Sequence, residues 1–505
     1  MAQAKFFNVH WDGKMLMDFA GTEKVDRLPV IATYDGNEQL LGVPKLPSGK
    51  GKGQKTAEAV YELLHEWKIV GRVQAISFDT TSTNTGVFNG AAILLEKLLQ
   101  RDLFYVACRH HIYELILKAA FEAKFGRTTG PGVPIFSRFK EQWKNVENKT
   151  FTSGITDHLV AIKIPIDVQK NVAEFCFAEI NTNQPRDDYK EFLLLTLLFI
   201  GEKMSFYKIK PPGPISHARW MAKAIYCLKI FLFREHFELN DLELNGIRYI
   251  CIFIVSLYVK AWFGSVRAVE APNNDLNFLK AAIDYKSIDS DVSQKVLAKF
   301  CGHLWYLSGE AVALSLFDEK LSIETKRKIV NAINEIEHEK TLLHEEDSED
   351  EDSGSDDSSD DLKATEEDYE SDNDNGKGCL LERAVGSKGP KRLQLTLKDM
   401  DKCFMKKNLS DFVTADTIKL FERFGLSKAF LSVDAETWSS NESYQKARDI
   451  VLNLHVVNDA AERGVKLIET YNKVLCRNES EKQFLLQVVS ENRKIFPSHD
   501  KKKLM

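Results

Sequence analysis

The spacing of apolar positions changes along this chain. Between Lys5 and about Asn145, short apolar runs without helical period alternate with amphipathic stretches. KFFNVHWD (5–12) and KMLMDF (14–19) read as strands around a turn at Asp12 to Lys14, and RLPVIATYD (27–35) reads as a third, with Asp-Gly pairs marking turns. A helix is expected over 54–67, where Ala57, Val60, Leu63, Leu64 and Trp67 share one face. A strand at 73–78, a helix near 87–99, a strand at 103–107 and a helix after Cys108 complete a β-β-β-α-β-α-β-α order. From about Phe151 the period becomes helical, over 168–180, 192–204, 220–233, 247–259, 291–307 and 323–343. Helical patterns resume over 397–424, 442–452, 460–475 and 481–495, after a Ser/Asp/Glu tract at 345–375 that is almost without apolar residues. That tract cannot offset its ordering entropy and is expected to be disordered.

Three strands in meander followed by alternating helices and strands is the ribonuclease-H-like arrangement, an α/β fold with a mixed sheet and helices on both faces. Here a large all-helical insertion interrupts it. The expected division is 1–147 for the first part of the core, 148–344 for the helical insertion, 345–378 for an acidic linker, 379–452 for the rest of the insertion and 453–505 for the return to the core. No internal repeat is visible.

A chain of 505 residues is long enough for two or three units, and 44% hydrophobic with 28% charged residues fits a soluble globular protein. The longest apolar runs, 192–200 and 249–259, fall short of the roughly 18 residues that span a bilayer, and read as buried helices. The eight cysteines, at 108, 176, 227, 251, 301, 379, 403 and 476, form no regular framework, which points to a reducing compartment. The net charge of −6 hides an asymmetry: positions 345–374 hold 17 acids and one base, leaving 57 acids against 67 bases elsewhere, or +10. A basic body with one acidic block suits a polyanion binder, and a solvated surface accounts for it equally. Ser348, Ser355 and Ser358 precede acids and suit an acidophilic kinase.

Asp79 ends an apolar strand and is followed by TTSTNTG, a turn-forming loop with backbone donors. A carboxylate there can hold a cation, or can simply cap the turn. In the ribonuclease-H-like arrangement a first-strand aspartate, here Asp12, meets it on the adjacent strand. Cys108 and His111 have half the spacing of a zinc site without a second pair, so a structural role is expected, and His110 is as apt to face solvent. GKGKGQKT (49–56) has Gln54 where a phosphate loop requires glycine, which argues against nucleotide hydrolysis and leaves Lys50 and Lys52 as phosphate contacts. Basic strings at 388–392 and 501–503 suit nuclear entry, phosphate contact or plain surface. Glu462 lies near the start of the last amphipathic stretch but one, where end charge alone also explains an acid.

Taken in order, HWDG around Asp12, FDTTSTNTG around Asp79, CRHH with Cys108 and His111, HARW ending in Arg219 and Trp220, and AAERG around Glu462 resemble the catalytic region of hAT-type DNA transposases. The resemblance covers nearly all of the chain. It implies that Asp12, Asp79 and Glu462 share two divalent cations, Mg²⁺ or Mn²⁺, for an in-line displacement at phosphorus in DNA. It also implies that Trp220, beside Arg219, stacks on a base of flanking DNA; ordinary helix packing is the alternative. Asp18 could replace Asp12, and Glu310 could replace Glu462, although Glu310 lacks the following arginine. The family's last motif departs here, with AERGV for S-E-R-x-F-S. The family also carries a DNA-binding module ahead of the first strand, on which this chain almost begins, so truncation or loss of end recognition is expected.

The expected function is that of a nuclear, transposase-derived protein with a two-metal DNA cleavage and strand-transfer site. DNA is its expected partner, with or without a second copy of itself, and no membrane or small-molecule substrate is expected. The alternative from another class is a catalytically idle scaffold that binds DNA or nuclear proteins. A third reading is a nuclease of the same fold acting on another nucleic acid.

Overall fold

The computed structural model describes residues 4–17, 24–47, 49–128, 133–147, 149–182, 184, 187–204, 207–213, 220–349 and 391–458. Seven strands are present among them: β1 (Phe7–Trp11), β2 (Lys14–Met17), β3 (Lys24–Arg27), β4 (Val30–Tyr34), β5 (Asn37–Gly42), β6 (Val73–Phe78) and β7 (Phe104–Ala107). Five form a mixed sheet in the order β5-β4-β1-β6-β7, with β4 antiparallel to its neighbours and β1, β6 and β7 parallel. β2 and β3 pair as an antiparallel ribbon outside the main sheet, and β3 also meets the segment after β5 through an Arg27–Lys45 bridge and a bond of 2.8 Å from Leu46 N to Asp26 O.

The expected meander is therefore corrected in two places. Residues 14–17 form a strand outside the main sheet, and the sheet's third strand is Asn37–Gly42, which the apolar pattern does not reveal. Its sequence NEQLLG lies at an edge and is half exposed, so it lacks the alternation that buries one face. The hairpin before it turns on Asp35 and Gly36, with φ of 44° and 71°, a two-residue turn that an Asp-Gly pair adopts readily.

Every residue of β1 and β7 is buried, and so is almost all of β6. Because successive side chains point to opposite faces, both faces of the sheet centre must be covered. Helices α1 (Lys52–Glu66), the single turn α2 (Ser82–Thr85), α3 (Ala91–Leu99) and α4 (Arg109–Phe125) connect and follow the strands, and α1 packs on α3. The helical block supplies further cover. Trp305 lies against Phe78 and Tyr105, at 6.4 and 6.2 Å between ring centres, and Phe424 lies against Phe6 and Phe104, at 5.1 and 5.9 Å. Phe104 and Tyr105 are consecutive on β7, so these two rings reach opposite faces. Sheet and helices thus share one hydrophobic core running from Ala4 to Val456.

α4 is the pivot of that core, packing on helices Ser290–Cys301 and Asp241–Phe253. Its Arg109 is buried in an ion pair of 2.7 Å with Asp275, with the guanidinium 5.0 Å from the Tyr306 ring centre and 3.1 Å from the Tyr113 hydroxyl. Burial pushes the Asp275 carboxyl up to about 6, with Arg109 pulling against it. Removing one partner of such a pair strands a charge at a cost of about 3–5 kcal/mol, so the pair locks block and sheet together.

Further differences have local causes. Residues 397–424 do not form one helix; 3-10 turns at Leu397–Asp399, Phe404–Lys406 and Leu409–Phe412 precede a short helix, Lys419–Phe424, and the first and third turns are closed by reciprocal bonds of Thr396 with Asp399 and Asn408 with Asp411. The helix Ile323–Glu349 runs five residues into the tract expected to be disordered, and the rest of that tract lies outside the described residues, as do 460–475 and 481–495. An 18-residue window of the run Asp241–Val266, which continues through a π-turn at Ile254–Tyr258, has a mean hydropathy of 1.7, enough by length and composition alone to cross a membrane, though the run is mostly buried inside the protein, as expected of its apolar stretch. Ile247, Ile250, Cys251, Tyr258 and Trp262 on it are all buried within the protein. Cysteines 108, 176, 227, 251, 301 and 403 form no disulfide.

Candidate functional site

β1 and β6 are parallel neighbours whose chains leave in opposite directions, β1 towards β4 and β6 towards β7. A sheet opens a crevice at such a reversal, outside the C-terminal ends of its strands. His10 lies opposite Ser77, and carrying that register two residues on sets Asp12 level with Asp79. Trp11 and Phe78, one step earlier, are stacked at 5.4 Å, as that register requires. Both aspartates are half-buried. The register thus sets the two acids, 67 positions apart, just beyond the ends of adjacent strands.

The Asp79 carboxylate is held by its own loop. Oδ1 accepts hydrogen bonds from Thr81 N at 3.0 Å, Thr81 Oγ1 at 2.6 Å and Asn84 Nδ2 at 2.7 Å. The buried Asn84 amide also accepts from the Trp11 indole at 2.9 Å, so it ties the end of β1 to the loop after β6. The first two bonds are those of a side chain stabilising its turn, the plainer of its two expected roles. All three fall on one oxygen. Oδ2 has no hydrogen bond among the described residues, which leaves it oriented and able to accept.

The chain returns to this place after the helical block. Arg109 N donates to Val456 O at 2.8 Å, Asn458 N to Cys108 Sγ at 3.3 Å, and Asn458 Nδ2 to Trp11 O at 2.7 Å. Cys108, whose own N–H donates to Phe78 O at 2.9 Å, therefore joins β6 to the returning segment. Asn458 and Asn84 were not singled out by sequence, since a lone asparagine carries little signal; for Asn84 the available signal was its place five positions after Asp79.

Glu462 lies outside the described residues, and so does Asp18. Glu310 is at the other end of the sheet: its carboxylate pairs with Arg423 at 2.6 Å, and Arg423 donates to Asp102 O ahead of β7. Asp102 is six residues from Cys108 along an extended strand, about 20 Å. Glu310 cannot share an ion with Asp79. Among the described residues no three His, Cys, Asp or Glu side chains are grouped to hold a metal.

Lys52 stands at the rim. Its Nζ is 3.4 Å from Asp26 of β3, and a Cβ on Gly13, next to Asp12, would be 3.9 Å from the same carboxylate. Asp26 is an acid near the site that sequence reasoning missed. Lys50 is exposed in the preceding loop. Trp220 opens the helix Trp220–Leu232, and Arg219 lies outside the described residues. His111 is half-buried on the first turn of α4. His110 does not face solvent: it is buried and stacked on Trp262 at 3.9 Å, because α4 is enclosed by the helical block on that side. Neither the protein-family models nor the curated proteins with which the chain was compared match it.

Proposed function

We propose that this chain is a transposase-derived nuclear protein whose ribonuclease-H-like sheet carries a metal-dependent DNA cleavage and strand-transfer site. The reading rests on the register that sets Asp12 beside Asp79 at the crevice between β1 and β6. It is supported by the strand order, which is 3-2-1-4-5 when the five sheet strands are numbered along the chain.

The donors fit a hard cation. Two carboxylates stand together, one with an oxygen left to accept, and oxygen ligands suit Mg²⁺ or Mn²⁺. Asp12, Asp79 and Glu462 would hold the ions, which when bound activate a water or 3′-hydroxyl and stabilise the leaving oxygen. Asn84 and Thr81 fix the Asp79 carboxylate, Lys50 and Lys52 contact phosphate, and Trp220 stacks on a flanking base.

A second reading, a binding scaffold without catalysis, draws on the same bonds: those on Asp79 Oδ1 also serve the turn alone. Incubation of the purified protein with Mg²⁺ or Mn²⁺ and labelled DNA ends separates the two. Nicking lost in Asp79→Asn with binding retained supports the cleavage site, and nicking unchanged in that variant refutes it. Binding without nicking by the intact chain favours the scaffold.

A further inference from the structure

The loop that holds Asp79 also does something its turn does not need. Gly90 N donates to Gly86 O at 3.0 Å, closing a tight loop whose tip is Val87, Phe88 and Asn89. Val87 is 75% exposed and Phe88 79%, which makes Phe88 the most exposed phenylalanine among the described residues. Such exposure usually goes with slack backbone, but this backbone is tight. A Cβ on Gly90 would lie 2.5 Å from Gly86 N and 2.8 Å from Asn84 O, and a Cβ on Gly53 would lie 2.1 Å from Asn89 O. Glycine at both places lets the loop press against itself and against the start of α1. The ring is therefore presented to solvent by a braced support that includes Asn84, the residue bonded to Asp79.

Lysines adjoin it, one of them, Lys52, 3.4 Å from Asp26. No residue from Thr80 to Leu95 is charged. The adjoining start of α1 carries exposed Lys50 and Lys52 and has no acid in its first turn. A rigid, exposed aromatic ring beside lysines matches the chemistry of an unpaired nucleobase on a phosphate backbone, because any base offers a π-face to stack and the phosphates meet the lysines. We infer that Phe88 is a stacking platform for an unpaired base at the end of a DNA strand entering the crevice, a proposal that rests on the DNA-cleavage reading.

The test uses the full chain and a DNA duplex with a short 3′ overhang carrying 2-aminopurine. Stacking on Phe88 should quench the probe, and Phe88→Ala should abolish the quench and weaken binding of this DNA roughly 5- to 150-fold, the range for one lost base stack. Affinity for a blunt duplex should stay as in the wild type, Phe88→Trp should restore overhang binding, and melting of Phe88→Ala should be unchanged because the ring is exposed. Equal quenching and affinity in Phe88→Ala, in a chain that still nicks DNA, would overturn this inference alone. A fall in molecular mass by light scattering without change in DNA affinity would overturn it by making the loop a contact with a second copy. Failure of the wild-type chain to bind any DNA would overturn both this inference and the reading beneath it.

Discussion

Replacing Asn84 by alanine should uncouple the end of β1 from the loop after β6. Two bonds are lost: the buried Trp11 indole loses its acceptor at 2.9 Å, and the Asp79 carboxylate loses a donor at 2.7 Å. An orphaned buried donor costs about 1–3 kcal/mol. The bond to Asp79 contributes less than a fully buried one, since that carboxylate is half-buried and keeps both bonds from Thr81. A total of roughly 2–4 kcal/mol is expected, read by urea unfolding followed by circular dichroism. Part of that loss is only the missing side-chain volume, so the decisive quantity is the coupling with Trp11→Phe, which removes the indole donor and keeps a ring against Phe78. The two single losses should exceed the double loss by about 1–2 kcal/mol, because the second change removes the group that the first had stranded. Additivity within about 0.5 kcal/mol would show that the bridge between strand and loop contributes nothing, and the account of how Asp79 is held would fail.

Other expectations follow from the same geometry. Gly53→Ala should destabilise the protein by about 1–3 kcal/mol in urea, because its methyl group meets the Asn89 carbonyl at 2.1 Å and backbone cannot yield as a side chain can. Adding Mg²⁺ at about 100 times its dissociation constant should raise unfolding stability by about 2.7 kcal/mol in the wild type and much less in Asp12→Asn or Asp79→Asn; equal gains in all three would place the ion elsewhere. His10, buried in β1 with His455 beside it, is lowered to about 3 by burial first and by that neighbour second. The unfolded chain then binds a proton that the fold refuses, so stability is lost as pH falls from about 6.5 towards 3. By pH 4.5 the loss is on the order of 2–3 kcal/mol. In EDTA, His10→Gln should remove about that much of the wild-type difference between pH 7 and pH 4.5, and an identical pH dependence in the two proteins would contradict it.

Local pattern was enough for elements whose stability is local or whose burial is complete. Val73–Phe78 and Val30–Tyr34 are apolar without helical period, and α1 carries one apolar face, so a strand, a strand and a helix were legible. Asp79 stood out because it follows such a strand and precedes a turn. Asn37–Gly42 did not stand out, since an edge strand takes its structure from hydrogen bonds to β4 and leaves most of its side chains half or fully exposed. Lys24–Arg27 did not stand out either, since its pairing with Lys14–Met17 and with Lys45 joins short segments with little apolar pattern.

The meeting of Asp12 with Asp79 depends on register, and a parallel register is set by which side chains share each face across the crossover through α1, not by either strand alone. Only folding decided that Glu310 sits with Arg423 at the far end of β7, that Asp26 flanks Gly13, and that Asn458 bonds the carbonyl of Trp11 from 447 positions away. It decided too that the helical block closes both faces of the sheet, through Trp305 and Phe424. The order of parts along the polymer was written in short-range periodicity. Which carboxylates share one crevice was not, because contacts between distant segments arise from packing that no window of neighbouring residues contains.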